Sequence, residues 1–476
     1  MVLDHFSTKS DPEPEFDRRR DVTADQPLSP LSHPMAYVRV SLLGMGKAQF
    51  AEALRARAQL LGYNLGTTRS TVFKWERGDH DPDEIAQIVI ADLLQIPASA
   101  CRSAPWPKWL PAWDAQVLST PWAMGDTLKN LKALSASGRM DRRGFLGIGG
   151  AALVSIGTQW AISAPHCDPS LEAAGSGDSV TPAVVDRLSQ RVQSLHALEQ
   201  EAGGGGFIES GKTDLELITR MLDNGRYTEE TERRLYALGA EVCCLLGWMN
   251  YDASFNSAAQ RYYAAALRAS RAANDDTLGA HTLCFMAVQA ATHQEQTAAV
   301  GLMESADGVR RRVSLTMQAS LAAHQATVLL KSGQEKAAGQ ALNRAFAALE
   351  RSNSDDTPAY LQWFGEAQLR STEGRFLLST GQAAKATDAL EKSVDQAPRR
   401  DQAVRCGALA LAYQQAGNLD GALDATSRAL DLIDNGGIHT QRGVERLREV
   451  HKALAPHRSE SRVKETRARI AALTTL

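Results

Sequence analysis

The stretch GFIESGKT, Gly206 to Thr213, has the residue types and spacing of a phosphate-cradling loop, G-x-x-x-x-G-K-[ST]. In such a loop the glycines let backbone N–H groups approach phosphate oxygens. The lysine, Lys212 here, neutralises charge, and the hydroxyl of Thr213 would hold Mg²⁺. That chemistry needs a buried strand before the loop and a helix N-terminus after it. The helix side is present: Leu215, Ile218 and Leu222 recur on one face, and Thr213 or Asp214 is suited to cap it. The strand side is missing. RLSQRVQSLHALEQEA, just upstream, has helical periodicity, and no later apolar strand ends in an aspartate placed to hold Mg²⁺. The context favours a glycine hinge, Gly203 to Gly206, between two helices, with Lys212 in solvent, over nucleotide hydrolysis.

A second stretch, GTTRSTVFKWERGDHDPD, Gly66 to Asp83, carries a different chemistry. Thr67 or Thr68 can cap a helix, Val72 and Trp75 fall on one face, Gly78 supplies a left-handed stop, and Pro82 sets the next chain direction. The outer face holds Arg69, Ser70, Lys74 and Arg77. Arginine and lysine donate to guanine O6 and N7, while small hydroxyls and helix-end amides suit phosphates. Upstream, KAQFAEALRARAQLL predicts a helix with Phe50, Leu54 and Leu61 inward. Downstream, PDEIAQIVIADLLQIP predicts another, with Ile85, Ile88, Val89, Leu93 and Leu94 apolar, and HPMAYVRVSLLG supplies a first helix. Four or five short helices with an exposed, polar third one describe a helix-turn-helix domain over residues 34–100.

The whole chain bounds these readings. Its 476 residues suffice for two or three domains. Net charge is −3, so a nucleic-acid site must be local rather than part of a global basic field. Alanine-rich runs at helical spacing dominate, which predicts an all-α chain. Six scattered cysteines (Cys101, Cys167, Cys243, Cys244, Cys284 and Cys406) without a C-x-x-C fit a reduced, cytoplasmic protein. No metal-ligand spacing, cofactor motif, Ser/His/Asp triad or paired-carboxylate arrangement emerges, so no catalytic residue, metal or cofactor is expected.

Residues 1–33 are polar and proline-punctuated, reading as a disordered arm whose Arg18, Arg19 and Arg20 either sit in solvent or touch DNA. A Pro/Trp-rich connector over 101–138 follows the helical domain; its tryptophans must bury against something. Residues 139–164, RMDRRGFLGIGGAALVSIGTQWAISA, are apolar after Arg143. Their start resembles a twin-arginine export signal, although such a signal normally opens a chain. A packed helix, a membrane anchor with Arg139, Arg142 and Arg143 on the cytoplasmic side, and export are the three readings; glycines dilute the segment and favour packing over the membrane.

From 181 to 476 the sequence repeats itself. LGWMNYDASFNSAAQRYYAAAL (Gly247, Ala259, Tyr263, Ala266), LLKSGQEKAAGQALNRAFAAL (Gly333, Ala338, Leu342, Ala345), EGRFLLSTGQAAKATDALEKSVDQAP (Gly374, Gly381, Ala386, Leu390, Pro398) and ALAYQQAGNLDGALDATSRAL (Tyr413, Gly417, Ala422, Ala429) match the tetratricopeptide pattern. A degenerate unit, CFMAVQAATHQEQTAAVGLMESA, lies between the first two. Small residues let two helices approach, and stacked hairpins bury one core and curve into a groove. An α-solenoid is predicted, with Trp248, Tyr251, Arg375 and Gln414 facing the groove, where a peptide or protein would bind.

The helix-turn-helix segment resembles the xenobiotic-response-element or phage-repressor-like family through Ser70-Thr71-Val72, Trp75-Glu76-Arg77-Gly78 and Pro82. The resemblance implies a third helix in the major groove, with Arg69, Ser70 and Lys74 at base edges and Thr68, Thr71 and Arg77 on phosphates. It also implies that Glu76 pairs with an arginine of the first helix, for which Arg39 is the candidate. One departure is the longer connection AQLLGYNLGTT between the second and third helices. The full order, this domain followed by WPKWLPAWDA, the apolar segment and repeats, resembles large regulators of high-GC Gram-positive bacteria and, more distantly, regulators whose repeats sense peptides. That implies a cytoplasmic, nucleoid-associated homodimer that controls transcription, often of development or secondary metabolism.

Overall fold

The computed structural model describes residues 34–39, 43, 45–94, 106–107, 110, 121–135, 148, 150–163, 178–353 and 357–474. The arm, most of the connector, the twin arginines, Cys101 and Cys167 lie outside them. Among the described residues the protein is all-α, without a strand; one isolated bridge joins Ser179 and Arg226.

The first unit comprises α1 (Pro34–Tyr37), α2 (Lys47–Leu60), α3 (Arg69–Arg77) and α4 (Glu84–Leu93). Met35, Phe50, Leu54, Val72, Trp75, Val89 and Ile90 form its core, with Leu110 and Trp106 of the connector against it. α3 starts where Thr68, in extended conformation, accepts from the Thr71 amide. It stops at Gly78, whose φ of 74° lets the Asp79 amide reach back to the Lys74 carbonyl. One expectation fails here: Leu61 points to solvent because α2 ends at Leu60, so Leu61 leaves the inward stripe. Ile85, on the first turn of α4, is also exposed.

The second unit begins with α5 (Met124–Ser135), α6 (Gly150–Ile162), α7 (Pro182–Ala202) and α8 (Ile208–Asn224). It continues as paired helices: α9 (Glu229–Asp252) with α10 (Asn256–Ala272), α11 (Asp276–Thr292) with α12 (Gln296–Asp307), α13 (Leu315–Lys331) with α14 (Glu335–Glu350), α15 (Glu366–Ser379) with α16 (Ala383–Asp395), α17 (Arg399–Gln415) with α18 (Leu419–Asp434), and α19 (Gln441–Ala453) with α20 (Ser461–Thr474). The first helix of each pair touches the first helix of the next, giving an inner layer from α9 to α19. This is an α-helical repeat solenoid.

Five hairpin turns share one device. Ser254, Gln294, Gly333, Gly381 and Gly417 all take φ between 64° and 77°, and each following amide donates to the carbonyl five residues back. The turns are 40, 39, 48 and 36 residues apart. Serine and glutamine bear the left-handed conformation in the first two turns, so no glycine marks those two turns in the sequence. The 48-residue interval carries an insertion before α15 that brings a short 3-10 turn, Ala359–Leu361.

Of the apolar segment 139–164, Gly150–Ile162 is a packed helix. α6 lies on α10, α11 and α12, the outer layer included. Trp160 is fully buried over Gly279, where a Cβ would sit 2.0 Å from the indole. Its Nε1 donates to Ser270 Oγ at 3.1 Å, its carbonyl accepts from Arg271 at 2.7 Å, and the Arg271 guanidinium stacks 4.6 Å from its ring. Trp122 stacks with Arg268 and donates to Gln159. No helix among the described residues is long and apolar enough to cross a membrane.

The glycine-rich run is neither a phosphate loop nor a hinge. Gly204 to Gly206 form a 3-10 turn, and Gly203 and Gly204 lie against the backbone of His439 and against Met249. α8 begins at Ile208, ahead of the Thr213 or Asp214 start expected from sequence, so Lys212 and Thr213 sit inside a helix. Lys212 is buried beside Glu209 rather than in solvent, and the Thr213 hydroxyl donates to the Glu209 carbonyl. The amides of Phe207 and Gly211 are bonded to the carbonyls of Gly204 and Phe207.

Candidate functional site

Two surfaces gather functional side chains. On α3, Val72 and Trp75 anchor the inner face, and Arg69, Ser70, Phe73, Lys74 and Arg77 form the outer one. Arg69, Ser70 and Lys74 are exposed and have no side-chain partner among the described residues. The helix is held from behind: Arg39 donates to Glu76 at 2.6 Å and to the Met45 carbonyl at 2.6 Å, and Lys47 reaches Glu76 at 3.3 Å. The long connection from Leu61 to Thr68 is tied down by Arg55, which donates to the Thr67 carbonyl.

The hydroxyls assigned to phosphates already work as caps. Thr68 Oγ1 accepts from the Thr71 amide, Thr71 Oγ1 accepts from the Thr68 amide, and the two oxygens are 3.0 Å apart. Arg77 lies 3.6 Å from Asp79 and stacks on Phe73, which Lys47 also approaches. Phe73 is the exposed residue that sequence reasoning missed; its position one turn after Arg69 was the available signal. The turn after α3 is acidic, with Asp79, Asp81 and Asp83, so the basic surface is confined to α3 and its flank.

The second surface is the concave side of the solenoid. The inner helices from α9 to α17 contribute residues three or four apart on one face, such as Glu241, Cys244 and Trp248 of α9 and Leu278, His281 and Phe285 of α11, and α19 adds Arg442. α7 crosses from α9 to α17, so the first and last repeats meet. The clasp is ionic: Glu199–Arg400 at 3.1 Å, Glu201–Arg399 at 3.3 Å, and Asp252 with both Arg442 at 2.7 Å and Thr440 at 2.9 Å. The ends enclose a cavity of about 120 Å³.

Of the four groove residues expected from sequence, Trp248 and Arg375 line this cavity, and Tyr251 and Gln414 do not. Trp248 is part of the clasp: its indole donates to Glu199, and the guanidiniums of Arg442 and Arg400 stack 4.3 and 5.2 Å from its ring. Tyr251 is buried with its hydroxyl on Thr292, because α9 turns that side toward α11. Gln414 sits near the end of α17, beyond the cavity-facing stretch Arg400 to Arg405. Sequence reasoning missed the clasp and the aromatic wall of Phe285, His281, His324, Tyr360 and Trp363, whose rings lie 4.5 to 6.3 Å apart. The aromatic density of PAYLQWF inside the long interval was the signal for the last two.

Burial sets the protonation of this pocket. It pushes His281 down to about 3 and His324 to about 4, so both are neutral near pH 7. Burial alone would raise the Asp401 carboxyl, but Arg400, Arg405 and Arg442 hold it at about 2. A carboxyl held below its unfolded value stabilises the fold above about pH 4, and that contribution is lost as pH falls towards 2. Asp401→Asn is expected to flatten this acid limb in denaturation curves taken from pH 5 to 2 and to lower stability at pH 7, since it leaves Arg400 and Arg405 short of a carboxylate.

Compared with known proteins, the chain matches no family model, and no curated protein matches it in sequence.

Proposed function

We propose that the chain is a DNA-binding transcriptional regulator in which α3 reads the major groove and the repeat domain senses a ligand or dimerises. The observation that carries this reading is the outer face of α3. Three donors or hydroxyls, Arg69, Ser70 and Lys74, stand exposed without side-chain partners among the described residues, on a helix fixed from behind by a buried Arg39–Glu76 pair. Other surface cations, such as Arg220, Lys336 and Lys464, are exposed without a carboxylate partner among the described residues as well; what supports the reading for Arg69 and Lys74 is that they share the outer face of α3 with Ser70. The motif resemblance supports the same role, and extends it to control of development or secondary metabolism.

One recognition helix contacts only a few base pairs, so useful affinity calls for two copies of the chain on paired half-sites. Arg69→Ala and Lys74→Ala are each expected to cost about 1–3 kcal/mol of specific binding and to relax base preference. Arg77→Ala is expected to weaken binding to all sequences alike and to reduce the salt slope by about 1. Mobility shifts of a selected operator across a salt series measure both; unchanged affinity in the Arg69 and Lys74 variants would refute the assignment.

A further inference from the structure

We propose that the concave cavity is a binding site for a small aromatic carboxylate, held by its anionic group on Arg375 and by its ring against Phe285, Tyr360 and Trp363. The pairing of the charges points to the anion: Glu199, Glu241 and Asp401 also line the cavity, yet none of them meets Arg375. Four guanidiniums line the cavity. Arg400 meets Glu199 and Asp401, Arg405 meets Asp401 at 2.7 Å, and Arg442 meets Asp252. Arg375 meets no carboxylate among the described residues: its N–H groups go to the Ser371 carbonyl at 3.2 Å and the Thr372 hydroxyl at 3.3 Å. A half-buried cation without a direct counter-ion is costly, and an external anion is the partner this site lacks.

The walls and the size set the rest of the ligand. The insertion before α15 delivers Tyr360 and Trp363 opposite Phe285, flat surfaces suited to an aromatic ring. The space of about 120 Å³ accepts a single ring with a short acid arm. A ligand there touches residues from α11 to α17 and sits beside the clasp between the first and last repeats.

This inference rests on reading the repeat domain as the sensing half, but its test contains no DNA, so either reading can fail alone. The full chain is titrated calorimetrically with benzoate, phenylacetate and indole-3-acetate, with their amides, and with sulfate and acetate. At least one aryl acid is expected to bind one-to-one, its amide at least tenfold more weakly, and Arg375→Gln to erase that difference. The acid–amide comparison in the unaltered chain stands even if the variant misfolds. Amides that bind as well as acids, sulfate or acetate that binds as tightly as the aryl acids, or acid binding unchanged in Arg375→Gln would overturn the proposal. So would no saturation by any of the three acids below concentrations on the order of 10 mM, including the case where only an acidic peptide binds.

Discussion

Trp160→Ala lowers the stability of the repeat domain by about 3–5 kcal/mol, the range for removing a fully buried tryptophan. The indole fills the space over Gly279 between α6 and the first repeats, and its loss leaves Ser270 and Arg271 without the Nε1 donor and the stacked ring they now meet. Trp160→Phe keeps most of the volume and loses the hydrogen bond, so about 1 kcal/mol of further cost separates it from a pure packing change. Gly279→Val acts from the other side, since its side chain enters the same space. Equilibrium urea denaturation of the three variants is the check. An unchanged midpoint for Trp160→Ala would mean that α6 is an adornment of the solenoid rather than part of it.

Arg39→Ala is expected to destabilise the first unit by about 3 kcal/mol, the lower end of the range for breaking a buried ion pair. Both side chains are nearly inaccessible, 8% and 7% exposed. Removing the arginine strands Glu76, but Lys47 at 3.3 Å stays as a partial counter-ion, and it is more exposed and more mobile. The effect reaches function because Glu76 lies on α3 itself, so a loosened pair lets the helix that carries Arg69 and Lys74 tilt. Thermal unfolding of this unit in the full chain, followed at the Trp75 signal in a background without the other tryptophans, measures the first effect. A double-mutant cycle with Glu76→Gln separates the pair from its surroundings.

The local grammar of this chain was legible in its sequence. The Thr68 cap, the Gly78 stop, the Val72 and Trp75 anchor face and the Arg39–Glu76 pair follow from short-range spacing and a family resemblance, and the geometry bears them out. The hairpin turns at Gly333, Gly381 and Gly417 were equally plain, because glycine marks a left-handed turn. The turns at Ser254 and Gln294 were not, because their conformation is imposed by the helices they join. What escaped the sequence is long-range. The Glu199–Arg400 clasp joins residues 201 positions apart, and no periodicity encodes such a meeting. For the same reason the glycine run at 203–206 read as a hinge, when it is the place where the first hairpin meets His439. Of the residues expected on the groove, Trp248 and Arg375 line the cavity and Tyr251 and Gln414 do not; spacing gives the face of a helix only as well as the helix ends are known.

The α3 account makes one direct demand on the purified full-length chain: select from a random duplex pool the sequences it binds, and repeat the selection with the Arg69→Ala, Lys74→Ala double variant. The account predicts an enriched pair of half-sites about one helical turn apart, or a multiple of it, and loss of that enrichment in the variant. Recovery of the same sequences by both proteins, or enrichment by neither, would contradict it.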